Sequence, residues 1–138
     1  MNECPIFEPE NLIVNENAEK IYDLQQRLIV YAVSIIQITE QLPTTTIGRH
    51  LSSQLLRSGT SVAANYVEAQ SAESLSDFIN KMKISLKELR ETEIWLKIMI
   101  EGNLFRSNDQ LKTIVDETNE LIAIFFASIN TAKKKQEA

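Results

Sequence analysis

The sequence contains few residues that break helices or carry cofactor chemistry. Its 138 residues include three glycines, three prolines, one cysteine and one histidine. So few glycines and prolines cannot supply the turns of a many-stranded β protein, and this favours long helices. Cys4 has no second cysteine with which to form a disulfide, and no Cys/His set is available for a structural zinc site. Three isolated glycines likewise exclude a phosphate-binding loop or a dinucleotide fingerprint.

Long apolar runs and a strong basic charge are also missing. No apolar run exceeds seven residues, so we expect no membrane-spanning helix. The first ten residues, MNECPIFEPE, lack the basic start of a signal peptide, and we expect a cytoplasmic protein. The net charge is −5, but residues 1–20 hold five glutamates and one lysine, which leaves the remainder near −1. The strongly basic composition typical of nucleic-acid-binding proteins is therefore absent.

Four segments have the apolar spacing of helices. Residues 1–15 show no period and predict an irregular N-terminal arm, whereas residues 16–138 predict one domain. Pro43 ends the first helix, and Ser74 and Ser107 begin the third and fourth as capping residues. Because the breaks between helices are short, neighbouring helices must run in opposite directions. The sequence predicts an all-α, antiparallel, up-down-up-down four-helix bundle.

The third helix is predicted to end at Gly102 and Asn103, which are common residues at helix C-termini. Its apolar residues at spacings of three and four predict the face that points into the core. The residues predicted on this face are Leu75, Phe78, Met82, Leu86, Leu89, Leu96 and Ile100.

Two helices carry a second apolar stripe that a single bundle would leave in water. Such stripes are typical of partner surfaces, so they predict an apolar interface in an oligomer. An alternative is a wide core covered by the N-terminal arm, with Ile6 and Phe7 on one stripe. The stripe residues are Tyr22, Ile29, Val33 and Ile36 on the first helix, and Ile84, Trp95 and Ile98 on the third.

Residue sets that support catalysis are not found. A di-iron bundle needs Glu-x-x-His on two helices, but the single histidine is His50 and residue 47 is isoleucine. His50 and Ser53 are one turn apart, but no acidic residue accompanies them to orient a catalytic dyad. We therefore expect no enzyme activity and no metal or other cofactor.

The central fifty residues carry a family resemblance. The segments GRH, LLRSGTSVAANYVEA and DFINKMKISLKELRETEIWL resemble the bacterial four-helix-bundle family named for proteins encoded in intervening sequences of 23S rRNA genes. The resemblance covers roughly residues 20–130. It implies an antiparallel bundle that assembles as a homopentamer and whose molecular function is poorly defined.

The resemblance also extends to the accessory protein of diversity-generating retroelements. That relative has the same pentameric bundle and binds nucleic acid and a reverse transcriptase through a basic surface. The present chain departs from it because it is acidic overall. Weak nucleic-acid contact is predicted for the basic flank of the third helix, for which the alternative is an ordinary solvent-facing flank. Its residues are Lys83, Lys87, Arg90 and Lys97, and Lys133–Lys135 add to it.

The run RSGTSVAAN at residues 57–65 has unusually small side chains for the middle of a helix. One interpretation is close packing between helices, with Asn65 bonded to a neighbouring hydroxyl. The other is a polar network between subunits, because the residue types pair well. The predicted network consists of Arg57, Asn65, Glu68, Glu88 and Glu91.

Two functions remain open from the sequence. The first is a homo-oligomeric scaffold or binding module whose partners are other copies of the chain and a further protein. The second is an RNA- or DNA-binding accessory protein of a ribonucleoprotein or ribosome-associated system. Net charge favours the first.

Overall fold

The computed structural model describes the backbone of residues 16–138 and the side chains of residues 23–138. In this part of the chain there are four helices and no strand. They are α1 (Glu16–Thr39), α2 (Thr46–Gln70), α3 (Leu75–Glu101) and α4 (Asn108–Glu137). α2 packs against α1 and α3, while α4 packs against α3 and more loosely against α1. The predicted arm over residues 1–15 lies outside the described residues, as does the side chain of Tyr22.

The predicted helix starts are confirmed by their caps. A hydroxyl before α2, α3 and α4 accepts a hydrogen bond from a backbone amide in the first turn, which satisfies a donor that the helix itself cannot. These pairs are Thr45 with Gly48, Ser74 with Asp77, and Ser107 with Gln110, at 3.0, 3.0 and 3.3 Å. α1 ends at Thr39, and a turn leads from there to Pro43.

α3 ends in a Schellman motif. The amide of Leu104 donates to the carbonyl of Met99 at 2.9 Å, and the amide of Asn103 donates to Ile100 at 3.2 Å. Asn103 has φ of 53°, the left-handed conformation that this motif requires. Gly102 has φ of −85°. Of the two predicted stop residues, asparagine therefore takes the left-handed position.

The small residues at the centre of α2 bring three helices close together. Ser58 and Gly59 are buried. A Cβ atom on Gly59 would lie 2.8 Å from two side-chain carbons of Ile35 in α1. On the other side of α2, Thr92 donates to the Ser58 hydroxyl at 2.7 Å, and Ser85 donates to a backbone carbonyl of α2 at 3.2 Å. The close packing predicted for this run is therefore confirmed, but the predicted bond from Asn65 to a hydroxyl is wrong, because Asn65 donates to the backbone carbonyl of Ser61.

Contacts across the helices give their directions. Ser52 at the start of α2 donates to the carbonyl of Thr39 at the end of α1, while Gly59 lies beside Ile35. α1 and α2 are therefore antiparallel. α2 and α3 are antiparallel too, because later residues of α2 meet earlier residues of α3. The short connection after Glu101 returns the chain along α4.

The inner face of α3 is rotated from the predicted one. Leu75 is exposed, and Phe78, Leu86 and Ile100 are only half-buried. The prediction missed this rotation because it followed apolar residues, whereas two polar residues face α2 at the closest approach. The buried residues of α3 are Ile79, Met82, Ser85, Leu89, Thr92, Leu96 and Met99.

A buried hydroxyl pair joins α1 to α4. The hydroxyls of Tyr31 and Thr118 lie 2.6 Å apart, and Thr118 also donates to the carbonyl of Ile114 at 2.7 Å. Burial raises the pKa of Tyr31, because removal from water disfavours the phenolate. The looser α1–α4 contact is therefore fixed by a specific polar bond.

Gly59→Ala tests the close approach of α1 and α2. Helix propensity alone would stabilise the variant by about 1 kcal/mol. We expect a net loss of roughly 1–3 kcal/mol instead, because the added Cβ overpacks against Ile35. Ala64→Gly at an exposed site of the same helix gives the propensity effect alone. Urea unfolding measures both, and a more stable Gly59→Ala variant would contradict the packing described.

Tyr31→Phe tests the buried hydroxyl pair through alkaline stability. An unfolded tyrosine has a pKa of about 10, and the folded pKa is higher, so the contribution of Tyr31 is present below about pH 10. It is lost as pH rises through the folded pKa. We expect Tyr31→Phe to lower neutral stability by about 1 kcal/mol and to flatten the alkaline decline. Thermal unfolding from pH 8 to 11 provides the measurement. Because burial also raises the pKa of Tyr66, Tyr66→Phe is the companion variant, and identical alkaline slopes for wild type and Tyr31→Phe would contradict the assignment.

Candidate functional site

A polar cluster lies on the outer side of the seam between α2 and α3. Arg57 of α2 donates to Glu88 of α3 at 3.0 Å and to Glu91 one turn later. The side chain of Arg57 is 48% exposed and that of Glu88 only 17%. The guanidinium therefore bonds to two carboxylates whose side chains are less exposed than that of Arg57.

Trp95 completes this cluster. Its indole N–H donates to Glu91 at 3.1 Å, and its ring stands edge-on to His50 with centroids 5.8 Å apart. It is half-buried and packs against the core. The expectation that a single bundle would leave Trp95 in water is therefore wrong, because α2 covers one side of the ring.

The remaining members of the predicted network lie elsewhere. Asn65 donates to the backbone carbonyl of Ser61 in its own helix at 2.9 Å. Glu68 accepts from Lys81 of α3 at 2.8 Å, and this bond raises the pKa of Lys81. The structure thus brings together only Arg57 and the two glutamates of α3, within one chain. Extension of the network to a second subunit remains a prediction.

The charges of the cluster do not balance. Two carboxylates share one guanidinium, which leaves a surplus negative charge beside the half-buried Trp95. Burial of charge is costly unless it is paired, and electrostatic interactions strengthen where water is partly excluded. The outer side of the seam is therefore locally acidic.

A second cluster of the same design was not predicted from the sequence. Arg27 of α1 donates to Glu117 of α4 at 2.6 and 2.8 Å and to Glu120 at 2.7 Å. These bonds, chiefly the one to Glu117, raise the pKa of Arg27. The glutamates are three residues apart, as Glu88 and Glu91 are, and this shared spacing is the signal that could have revealed the pair.

The predicted apolar stripes are largely exposed. On α1, Ile29, Val33 and Ile36 are 40, 45 and 37% exposed. On α3, Ile84 and Ile98 are 40 and 43% exposed. Leu56 and Val67 of α2 are exposed too, and their helical positions place them on the side of α2 that faces α1. We call Ile29, Val33, Ile36, Leu56 and Val67 the α1–α2 surface.

The predicted basic flank forms a row along α3. Lys83, Lys87 and Arg90 are exposed and make no ion pair with any side chain that the structure describes. Lys97 pairs with Glu93 one turn earlier at 3.5 Å. Three exposed cations without an ion pair to a described side chain therefore remain in this row, and Lys87 lies one turn before Glu91.

The predicted candidate residues for chemistry are not brought together among the described side chains. His50 contacts Trp95 and makes no hydrogen bond to Ser53. Among residues 23–138, no three His, Cys, Asp or Glu side chains are grouped to hold a metal ion. None of the described helices has both the length and the apolar character needed to cross a membrane.

Comparison with known proteins agrees with this architecture. Residues 20–127 match the family model described as 23S rRNA-intervening sequence protein. A solved structure of a protein of unknown function, from the S23 ribosomal protein family of Bacteroides thetaiotaomicron VPI-5482, is 34% identical with a TM-score of 0.73. The match covers 80% of this chain and 98% of that one. No curated protein sequence matches the chain. Neither the family description nor this neighbour's names an enzyme activity.

Arg57→Met tests whether the cluster holds α2 to α3. Methionine keeps an apolar stem but leaves Glu88 and Glu91 unpaired. We expect a loss of about 1 kcal/mol, since half-exposed ion pairs are screened by solvent. Arg49→Met, at an exposed arginine of the same helix without an ion pair, should change stability by less than about 0.5 kcal/mol. Urea unfolding followed by Trp95 fluorescence, the only tryptophan in the chain, measures both. Equal stabilities would show that the cluster does not hold the seam.

Proposed function

The chain belongs to the 23S rRNA-intervening sequence protein family, and on that premise we propose that it is a non-catalytic, homo-oligomeric scaffold or binding module of the cytoplasm. The family resemblance is the source of the number five, a homopentamer. The residues support the assembly itself, which is argued from the exposed surfaces of the bundle.

The observation that carries this proposal is the exposure of apolar side chains on two separate parts of the bundle. The α1–α2 surface lies on helices α1 and α2, whereas Ile84 and Ile98 lie on α3, whose backbone does not approach that of α1. Monomeric soluble proteins rarely expose extended apolar patches. Two different surfaces on one subunit are what a head-to-tail ring requires.

Burial of the two surfaces favours assembly. Burying one large apolar side chain fully contributes roughly 1.5–3 kcal/mol. The isoleucine, valine and leucine side chains of the two surfaces are 37–45% exposed, so each adds less than half of this, and together they match about the lower end of an association cost of roughly 4–15 kcal/mol. The surplus charge at the α2–α3 seam adds selectivity more than affinity.

A non-catalytic role is supported by the residues of the most polar cluster. Arg57 donates to Glu88 and Glu91, and Trp95 Nε1 donates to Glu91. The cluster offers no nucleophile paired with a base, which covalent catalysis needs. Its residue types are instead those enriched in binding surfaces, namely Trp and Arg beside exposed isoleucine.

An accessory role in nucleic-acid binding is the alternative. It is favoured by the row of exposed cations Lys83, Lys87 and Arg90 on α3 and by Lys133–Lys135 at the end of α4. Phosphate contacts are salt-dependent, so this role predicts weak binding to RNA or DNA that fades between roughly 50 and 200 mM salt. Tight binding that survives the higher salt would favour it over the scaffold.

Sedimentation of the wild-type chain at micromolar concentration tests the oligomer. We expect a species several times larger than 15.7 kDa. Ile84→Glu should shift it toward the monomer, because it adds a carboxylate one turn from Glu88 on an exposed surface. Ile47→Glu, at an exposed isoleucine outside both surfaces, is the control and should leave the assembly intact. A single wild-type species near 15.7 kDa would end the proposal.

A further inference from the structure

We propose that the two sides of α3 recognise each other between copies of this chain, an inference that rests on the proposed self-assembly. One side of each copy is acidic and the other basic, and the acidic face of one copy binds the basic face of the next. The acidic face consists of Ile84, Glu88, Glu91 and Trp95. The basic face consists of Lys87, Arg90, Ile94 and Phe126.

The positions of these residues follow from the contacts of α3. Glu88 and Glu91 bond to Arg57, so they lie on the side of α3 that meets α2. Successive helical residues are about 100° apart, so Arg90 is turned by about 200° from Glu88 and lies toward α4. Lys87, four residues before Glu91, is turned by only about 40° from it, so the basic face begins beside the acidic face and extends from there toward α4.

Phe126 joins the basic face from α4. Glu117 bonds to Arg27 and so marks the side of α4 that meets α1. Phe126 follows it by nine residues, about 180° around the helix, which places it on the α3 side. It is 52% exposed, and Ile94 on the basic face is 54% exposed. Both faces therefore combine apolar and charged residues.

The charges are complementary. On the acidic face, Arg57 balances only one of the two carboxylates. On the basic face, Lys87 and Arg90 are exposed and make no ion pair with the described side chains. A cation from the next copy would remove the surplus negative charge, and the carboxylates would in turn pair the free cations.

The heights match as well. In a ring whose symmetry axis is parallel to α3, a given residue lies at the same position along that axis in every copy. We call this position its height. Lys87, Glu88, Arg90 and Glu91 fall within five consecutive residues, an axial span of about 6 Å. In such a ring the cations of one copy therefore lie level with the carboxylates of the next, without any shift along the helix.

Apolar residues continue the match above and below the charges. Ile94 and Trp95 are consecutive and lie one turn beyond Glu91. Ile84 and Phe126 both lie about five turns from the α3–α4 connection, so they share a height on the other side of the charges. Each face thus has the order apolar, charged, apolar along the bundle.

The α1–α2 surface is less complementary in charge to the acidic face than the basic face is. The described cations of α1 and α2 are Arg27, Arg49 and Arg57. Arg27 and Arg57 already hold carboxylates of their own chain. Arg49 lies about two turns from Arg57 and so from the height of Glu88. Charge complementarity therefore selects the basic face.

The angle between the faces closes the assembly. Lys87 and Arg90 each precede their acidic counterpart by one residue, so the two faces point about 100° apart. Two different faces at such an angle give a head-to-tail contact that turns steadily and closes into a small ring. In this ring each copy presents its acidic face to one neighbour and its basic face to the other.

The test is Lys87→Glu combined with Arg90→Glu in the full chain. We expect loss of the assembled species in sedimentation velocity at micromolar concentration, with the helical circular dichroism spectrum retained. Lys112→Glu with Lys134→Glu makes the same change in net charge at exposed lysines of α4, and it should still assemble. The neutral pair Lys87→Gln and Arg90→Gln should weaken assembly less, and it replaces the reversal variant should that variant unfold.

The outcomes separate this inference from the proposed function. Should the wild type sediment as a monomer, both fail. A wild type that assembles and a Lys87→Glu/Arg90→Glu variant that assembles equally would overturn this inference alone. This inference alone would also be overturned by a variant that keeps its assembly but loses binding to a labelled single-stranded RNA. Lys87 and Arg90 would then bind nucleic acid and not the next copy. Assembly lost in this variant and kept in the Lys112→Glu/Lys134→Glu control supports the inference.

Discussion

The close approach of α1 and α3 to the middle of α2 is the constraint on which the bundle depends. It exists because residue 59 has no side chain and residue 58 has a small one that hydrogen-bonds to Thr92. A larger residue at either position would separate the helices along their whole length. The same approach places Arg57, next in the chain, within reach of Glu88 and Glu91. A packing requirement thus sets up the polar seam.

Two seams of the bundle use the same electrostatic device. In each, one arginine bonds to two glutamates that lie one turn apart on the neighbouring helix. Such ion pairs help to hold α1 against α4, because the backbones of these two helices pack loosely. The α2–α3 seam is already tightly packed, so its arginine is less necessary for cohesion. Its second carboxylate, that of Glu91, also accepts a hydrogen bond from the half-buried Trp95.

Local sequence signals predicted most of the fold. The predictions that failed depended on contacts between helices. Capping hydroxyls, Pro43 and the small residues of α2 act through neighbouring atoms, so the sequence alone shows where helices begin and approach each other. The inner face of α3 was misjudged because Ser85 and Thr92 are buried by hydrogen bonds to α2 that apolar spacing does not reveal. Residue types indicated that Arg57 and Glu88 would pair. Whether they pair within or between chains depends on a distance across the bundle.

The position of the free cations links the two functional hypotheses. Lys87 and Arg90 stand one residue away from Glu88 and Glu91, so any ring that matches the faces covers them. The same side chains are the strongest part of the basic row available to nucleic acid. One cation cannot pair with a neighbouring carboxylate and a phosphate at full strength at once. In the proposed ring, nucleic-acid binding through this row would therefore compete with assembly.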